Sequence, residues 1–184
     1  SHMHADQTHG INDLRVFYIQ KKKPVPIYAD KETRKYLLNS FSYCFDSRNK
    51  DYPATLRLNS INNNLFIKDG KKKLKVKAIK VNHGNVNSTC YIIDKKLAYI
   101  SDVSKINKND YKYFRNLKYL VIDCLWFKYH PSHLNLEGCL QLINQFKPQK
   151  SILTNLHSDL DYNYLKKKLP KNIIPAFDGL SINL

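Results

Sequence analysis

The 184-residue chain predicts one layered α/β domain, antiparallel (α+β in character) through its middle and alternating strand with helix towards its end. Three observations predict this class. Residues 65–81 run at period two, with Leu74, Val76 and Ala78 in step and Asp69-Gly70 as the break, which is the pattern of a half-buried hairpin. Tyr119–Cys124 is a short apolar run and Ser151–Leu153 a second one, both of the buried-strand type, with a helical stretch between them. The length suits a single domain, residues 1–184, with a core of its own.

Taken in order, Thr8 to about Tyr18 places Ile11, Leu14 and Tyr18 at helical spacing with Asp13 early, and reads as a helix whose N-terminus faces the first ten residues. A strand follows at Val25–Tyr28. Asp30 caps a helix reaching about Cys44, with Tyr36, Leu37, Phe41 and Tyr43 as buried candidates. Residues 46–63 read as a loop around a short strand at Leu56–Leu58. His83-Gly84 ends the period-two stretch, and Thr89–Ile93 pairs with Leu97–Ile100 around Asp94-Lys95-Lys96, delivering Ser101-Asp102. A helix over about Lys108–Asn116 precedes Tyr119–Cys124. His130-Pro131-Ser132-His133 leads into a helix over Asn135–Phe146, stopped by Pro148, and His157 lies just past Ser151–Leu153. A helix over Asp161–Leu169 and strands at Ile173–Ala176 and Leu180–Leu184 close the chain. There is no repeat, linker or low-complexity block.

A hydrophobic fraction of 42%, with 13 Tyr and 8 Phe, excludes a disordered tail. No apolar run approaches the roughly 18 residues that a membrane-spanning helix needs. Cys44, Cys90, Cys124 and Cys139 lie far apart with no C-x-x-C spacing and read as buried thiols of a reducing compartment; with no signal-peptide pattern, the expected location is cytoplasmic. The net charge of +16 comes mostly from Lys, since Arg occurs only at 15, 34, 48, 57 and 115. Such a surface concentrates phosphate-bearing partners, nucleic acid included. The runs Lys21-Lys22-Lys23, Lys71-Lys72-Lys73 and Lys166-Lys167-Lys168 fall at loops or helix ends, where a solvated, solubilising face is the plainer reading.

The first ten residues carry His2, His4 and His9 with Asp6, three imidazoles and a carboxylate entering a helix. Those are ligands that suit Zn²⁺, Mn²⁺ or Fe²⁺. The other four histidines, His83, His130, His133 and His157, each lie beside a turn or strand end. One such His is ordinarily a surface residue. Seven of them at element ends, together with Asp6 and Asp102, point to a metal site on the edge where a layered α/β fold gathers its functional groups. Ser1-His2-Met3 also matches what cleavage of a purification tag leaves, in which case His2 is foreign to the natural chain.

The stretch H-M-H-A-D-Q-T-H-G at His2–Gly10 resembles the H-x-H-x-D-H motif of the metallo-β-lactamase superfamily. T-H-G-I-N-D-L-R, the H-G at His83, Y-I-S-D, H-P-S-H-L-N-L-E, T-N-L-H-S-D-L-D-Y and P-A-F-D-G-L are similar to one branch, that of the phosphoribosyl cyclic phosphodiesterase of phosphonate breakdown and its alphaproteobacterial relatives. The resemblance implies an αββα sandwich with one or two Zn²⁺ or Mn²⁺ ions on an edge. By position it makes His2, His4 and His83 ligands of a first metal, Asp102 the bridging carboxylate, and Asp6 and His157 ligands of a second. It gives catalytic roles to Asp6 and Asp102 and to His133 as general acid, with His130 in support. Two cations lower the pKa of a water between them, clamp the phosphate and stabilise the developing charge, while an imidazole protonates the leaving oxygen.

Three departures stand out. Gln7 occupies the usual place of a second-metal histidine; its amide oxygen is a weaker ligand that favours harder ions, and His9 is the other candidate for the position, against a role at the helix start. Asn155 stands where relatives often have another His. Several strands of the first β-layer precede the motif in typical members, so this chain reads as N-terminally incomplete, with an apolar sheet face and a free edge that a homodimer or another chain would cover. The expected function is metal-dependent hydrolysis of a small cyclic or nucleotide-like phosphodiester by a metal-activated water. The competing readings are an inactive remnant that binds metal or nucleic acid, and an RNA-processing nuclease, for which no inserted tRNA-gripping arm is visible.

Overall fold

The computed structural model describes residues 1–48, 51–61, 64–70 and 72–184. The chain gathers into two compact units, Ser1–Asn62 and Asn63–Leu184, each with its own sheet. Residues 49, 50, 62 and 63 of the expected 46–63 loop, and Lys71 of the second lysine run, lie outside the described residues.

In the first unit, three short pieces replace the single helix expected over Thr8–Tyr18: α1 (Ala5–Thr8), a 3-10 segment over His9–Leu14, and α2 (Arg15–Lys21). Gly10, Asn12 and Asp13 explain the break, Gly through backbone entropy and the other two by competing for backbone hydrogen bonds. Ile11 still reaches the core. Lys22 ends α2 in a left-handed conformation, φ 51°, donating its amide to Tyr18 O at 2.7 Å. β1 (Val25–Ala29) and β2 (Leu56–Ser60) pair in parallel, Val25 opposite Leu56, and α3 (Lys31–Ser40) makes the crossover that parallel neighbours need. Asp30 caps α3 as expected, accepting from the Thr33 amide at 2.7 Å. The helix stops at Ser40 and not near Cys44; a 3-10 turn at Ser42–Cys44 follows, placing Cys44 in a small core with Ile11, Leu37 and Leu56. Tyr36 and Phe41 pack against that core, but Tyr43 is 60% exposed, against expectation.

The second unit is one seven-stranded sheet in sequence order: β3 (Leu65–Asp69), β4 (Lys72–His83), β5 (Val86–Ile93), β6 (Leu97–Ile100), β7 (Tyr119–Asp123), β8 (Lys150–Thr154) and β9 (Ile173–Pro175). β3 to β6 are antiparallel neighbours and β6 to β9 parallel ones. The β5–β6 hairpin turns through Asp94 and Lys95, both at left-handed φ, with the Lys96 amide bonded to Ile93 O at 2.9 Å. α4 (Leu136–Phe146) and α5 (Tyr162–Lys168) make the crossovers after β7 and β8; Asn135 and Asp161 cap them by accepting from the Gly138 and Tyr164 amides. The main core joins β4–β8 to these helices, with Phe114 stacked on Phe146 at a ring separation of 5.3 Å.

Two expectations fail here. Lys108–Tyr113 is a 3-10 segment instead of a helix to Asn116, consistent with the weak helix formers Asn107, Asn109 and Asp110. Leu180–Leu184 forms no strand; Leu180 and Ile182 instead pack onto a second apolar cluster, Leu97, Val121 and Ile152. All four cysteines are buried with free thiols. Among the described residues, no helix is long and apolar enough to cross a membrane.

The sheet order positions the chemistry. β4 is antiparallel to β5, and β5 to β6, so β4 runs in the same direction as β6, β7 and β8. The carboxyl ends of these four strands therefore share one edge of the sheet.

Candidate metal centre

That edge carries His83 as the last residue of β4, Asp102 two residues past β6, Asp123 as the last residue of β7, and Asn155 just past β8. His133 enters from the loop before α4. His83, Asp102 and His133 each bring a ligand-type atom within 4.8 Å of the others'. The rings of His83 and His133 meet edge to face at 4.6 Å. His83 and Asp102 are buried, and 17% of the His133 side chain is exposed.

Each side chain is held by a specific partner. Nδ1 of His83 lies 2.6 Å from Ser132 O, which makes Nδ1 the protonated nitrogen and Nε2 the one with a lone pair to give a cation. Ser101 Oγ donates to Asp102 Oδ2 at 2.5 Å, and the Asn155 amide donates to Ser101 O and, at 3.4 Å, to Asp102 Oδ1. Asn155 sits at φ 59°, a left-handed conformation that Asn tolerates better than most residues. Asp123 is wholly buried, and its Oδ2 accepts from the amides of Val103 and Leu134 and lies 2.8 Å from His133 Nδ1. Burial pushes the Asp123 carboxyl above its ordinary value, opposed by the hydrogen bond to His133.

Gly84 makes this arrangement possible. It sits at φ +63°, and a Cβ there would lie 2.8 Å from Ser132 Cβ, inside the loop whose carbonyl holds His83. Gly84→Ala is expected to cost about 1 to 3 kcal/mol through backbone strain and overpacking. A denaturant titration at constant slope checks it; an unchanged midpoint would show that the loop yields freely.

The donor set fits a divalent cation. Two imidazoles and a carboxylate converge, with a second buried carboxylate, Asp123, alongside, and Asp123 Oδ1 has no hydrogen-bond partner among the described residues. Buried negative charge of this kind is offset by a positive ion.

Of the other expected site residues, His157 donates its backbone amide to Leu125 O, while its ring tilts over Trp126 at 5.2 Å and accepts from the Asp159 amide at 3.2 Å; its side chain is 46% exposed. It stands outside the three-residue group. His130 accepts from Ser132 N at 3.3 Å, 5.2 Å from the His133 ring, and so braces the loop that carries both. In the first unit, His2 and His4 meet edge to face at 4.4 Å, with His4 at the start of α1. Gln7 donates its amide to Asp6 Oδ2 at 2.9 Å, holding that carboxyl below its ordinary value, and accepts from Ser1 Oγ at 2.8 Å. His9 turns to α3 instead, beside Tyr36 and Phe41.

Asp123 is the residue that sequence reasoning missed, absorbed into an apolar strand. Its signal was its charge: a carboxylate closing a fully buried run requires a partner, and His133 lies ten residues on.

Residues 1–155 match the β-lactamase superfamily domain family, and the chain belongs to that family. It thus has the metallo-β-lactamase αββα fold. Within the superfamily it resembles the PhnP group: a solved diphosphatase of the PhnP family is 26% identical, with a TM-score of 0.85 over 100% of this chain and 69% of that one. The metallo-β-lactamase fold protein YhfI from Bacillus subtilis, 16% identical, shares the fold at a TM-score of 0.73, covering 98% of this chain and 74% of that one. An octanoyltransferase of Porphyromonas gingivalis (strain ATCC BAA-308 / W83) is 26% identical over 185 residues, covering 98% of this chain and 36% of the relative. The chain therefore spans about a third of the length of that curated relative.

Proposed function

We propose that this protein is a metal-dependent phosphodiesterase acting on a small cyclic or nucleotide-like phosphodiester. The convergence of His83 and Asp102, at the carboxyl ends of strands that run the same way, with His133 from the loop before α4 carries this reading, and the likeness to a PhnP-family diphosphatase supports it. His83 and Asp102 act as ligands, and the motif residues His2, His4, Asp6 and, further on, His157 take ligand roles on the pattern they carry. A bound Zn²⁺ or Mn²⁺ supplies Lewis acidity to a phosphoryl oxygen and to the attacking water. His133 is the general acid. Asp123 holds its Nδ1, which fixes the ring and makes Nε2 the nitrogen that passes a proton to the leaving oxygen. Burial of Asp102 and Asp123 keeps water from competing for these hydrogen bonds.

Protein stripped with a chelator and reloaded should recover cleavage of an aryl phosphodiester and of a 2′,3′-cyclic nucleotide in step with bound metal, counted by elemental analysis. Stoichiometric metal without turnover of either substrate would favour the inactive, metal-binding remnant.

A further inference from the structure

At the far end of β4 from His83 lies a pocket of about 580 Å³ whose walls bring together five cations, Lys75, Lys77, Lys95, Lys112 and Arg115, with no Asp or Glu in the lining. Among the described residues, none of the five forms an ion pair. Asp94, next to Lys95, is instead spent on the backbone, accepting the Lys75 amide at 2.8 Å. The floor is apolar and aromatic. Ile92 and Leu117 are buried there, and the half-buried Tyr113 ring faces two ammonium groups, Lys77 Nζ at 4.4 Å and Lys112 Nζ at 5.2 Å.

The basic surface continues beyond the pocket. Directly paired residues of neighbouring strands share a sheet face. Lys77 opposes Ile92, Lys75 opposes Phe66 and Lys73 opposes Lys68, so all six lie on one face of β3-β4-β5. Phe66 is 49% exposed, with Lys73 Nζ 3.9 Å above its ring. Uncompensated like charges side by side in a sheet are unfavourable unless something anionic answers them. Phe66, partnered by Lys73 on the chain's own side, leaves half of its surface open to a ligand that stacks.

We propose that this strip binds single-stranded nucleic acid, with phosphates on Lys73, Lys75, Lys77 and Lys112 and bases against Phe66 and the apolar floor at Tyr113. Lysines interleaved with stacking rings form the surface that tracks a flexible strand without reading its sequence. The strip outruns the pocket, which a free mononucleotide would fill alone, and the pocket accepts an unstacked base, which a duplex does not present. The site is independent of the hydrolase reading. Lys77 precedes His83 by six positions along β4, about 20 Å of strand.

The test is fluorescence anisotropy of the full chain with a labelled single-stranded RNA of about 12 nucleotides, a length within the usual range for one such surface. It is run at physiological salt with EDTA present. Binding is expected without metal and with a steep salt dependence. Lys75→Glu with Lys77→Glu should weaken it at least tenfold and flatten the log–log salt slope by about 0.7 for each phosphate no longer neutralised. Phe66→Ala, which leaves the charge untouched, should weaken it by at least about fivefold through the missing stack. Lys166→Glu with Lys167→Glu on α5, the same change in net charge elsewhere, should do little. Equal weakening by the α5 pair, equal binding of a duplex, displacement by a mononucleotide at similar concentration, or no binding at all would each overturn the proposal.

Discussion

On the proposed function, Asp102→Ala is expected to leave a protein that neither retains metal nor cleaves phosphodiesters. Asp102 is the one carboxylate in the three-residue group, and without it the two imidazoles face a site from which the ligand charge of that group has gone. Loss of the Lewis acid removes several kcal/mol of transition-state stabilisation, a fall in kcat/KM of at least about a thousandfold. The fold should persist. Ser101 Oγ and the Asn155 amide lose an acceptor, but repulsion between Asp102 and the buried Asp123 is relieved at the same time. The check is elemental analysis together with turnover of an aryl phosphodiester, with far-UV circular dichroism as the control for folding. Wild-type metal content with undiminished turnover would remove Asp102 from the site.

His133→Ala separates a general acid from a ligand. If His133 hands a proton to the leaving oxygen, metal content stays the same while cleavage of alkyl phosphodiesters falls roughly 10²- to 10⁴-fold. Esters with a nitrophenolate leaving group, which departs without a proton, should slow much less. Equal slowing of both, or loss of metal, would make the imidazole a ligand with Asp123 behind it. The substitution also leaves Asp123 buried beside two backbone donors among the described residues, so a stability cost of about 1 to 3 kcal/mol is expected and is read from the same denaturant titration.

The second unit was legible where pattern and packing agree. The period-two run with its Asp69-Gly70 break became β3 and β4, the apolar runs became β7 and β8, and the helix expected over Asn135–Phe146 became α4. Misreadings came where short polar residues sit inside helical spacing: Gly10, Asn12 and Asp13 at the start, Asn109 and Asp110 in the middle. Apolar periodicity counts the buried positions and ignores the backbone competition around them. For the candidate site, His83 and Asp102 could be placed at strand ends, but their proximity depends on β4 and β6 pointing the same way, a consequence of two successive antiparallel pairings that local sequence does not contain. Asp123 was hidden by its apolar neighbours, and Gln7 and His9 turned to partners whose distance in space no spacing rule reveals.

β4 is twelve residues of continuous extended chain with a metal-type histidine at one tip and lysines of the basic strip near the other. A strand barely stretches, so it serves as a ruler between the two. Inserting two residues would move them apart by about 6.6 Å with both faces preserved, while inserting one would turn the lysines to the opposite side of the sheet. The interval between the two tips is therefore quantised, and natural or engineered length variants of this hairpin should occur in even steps.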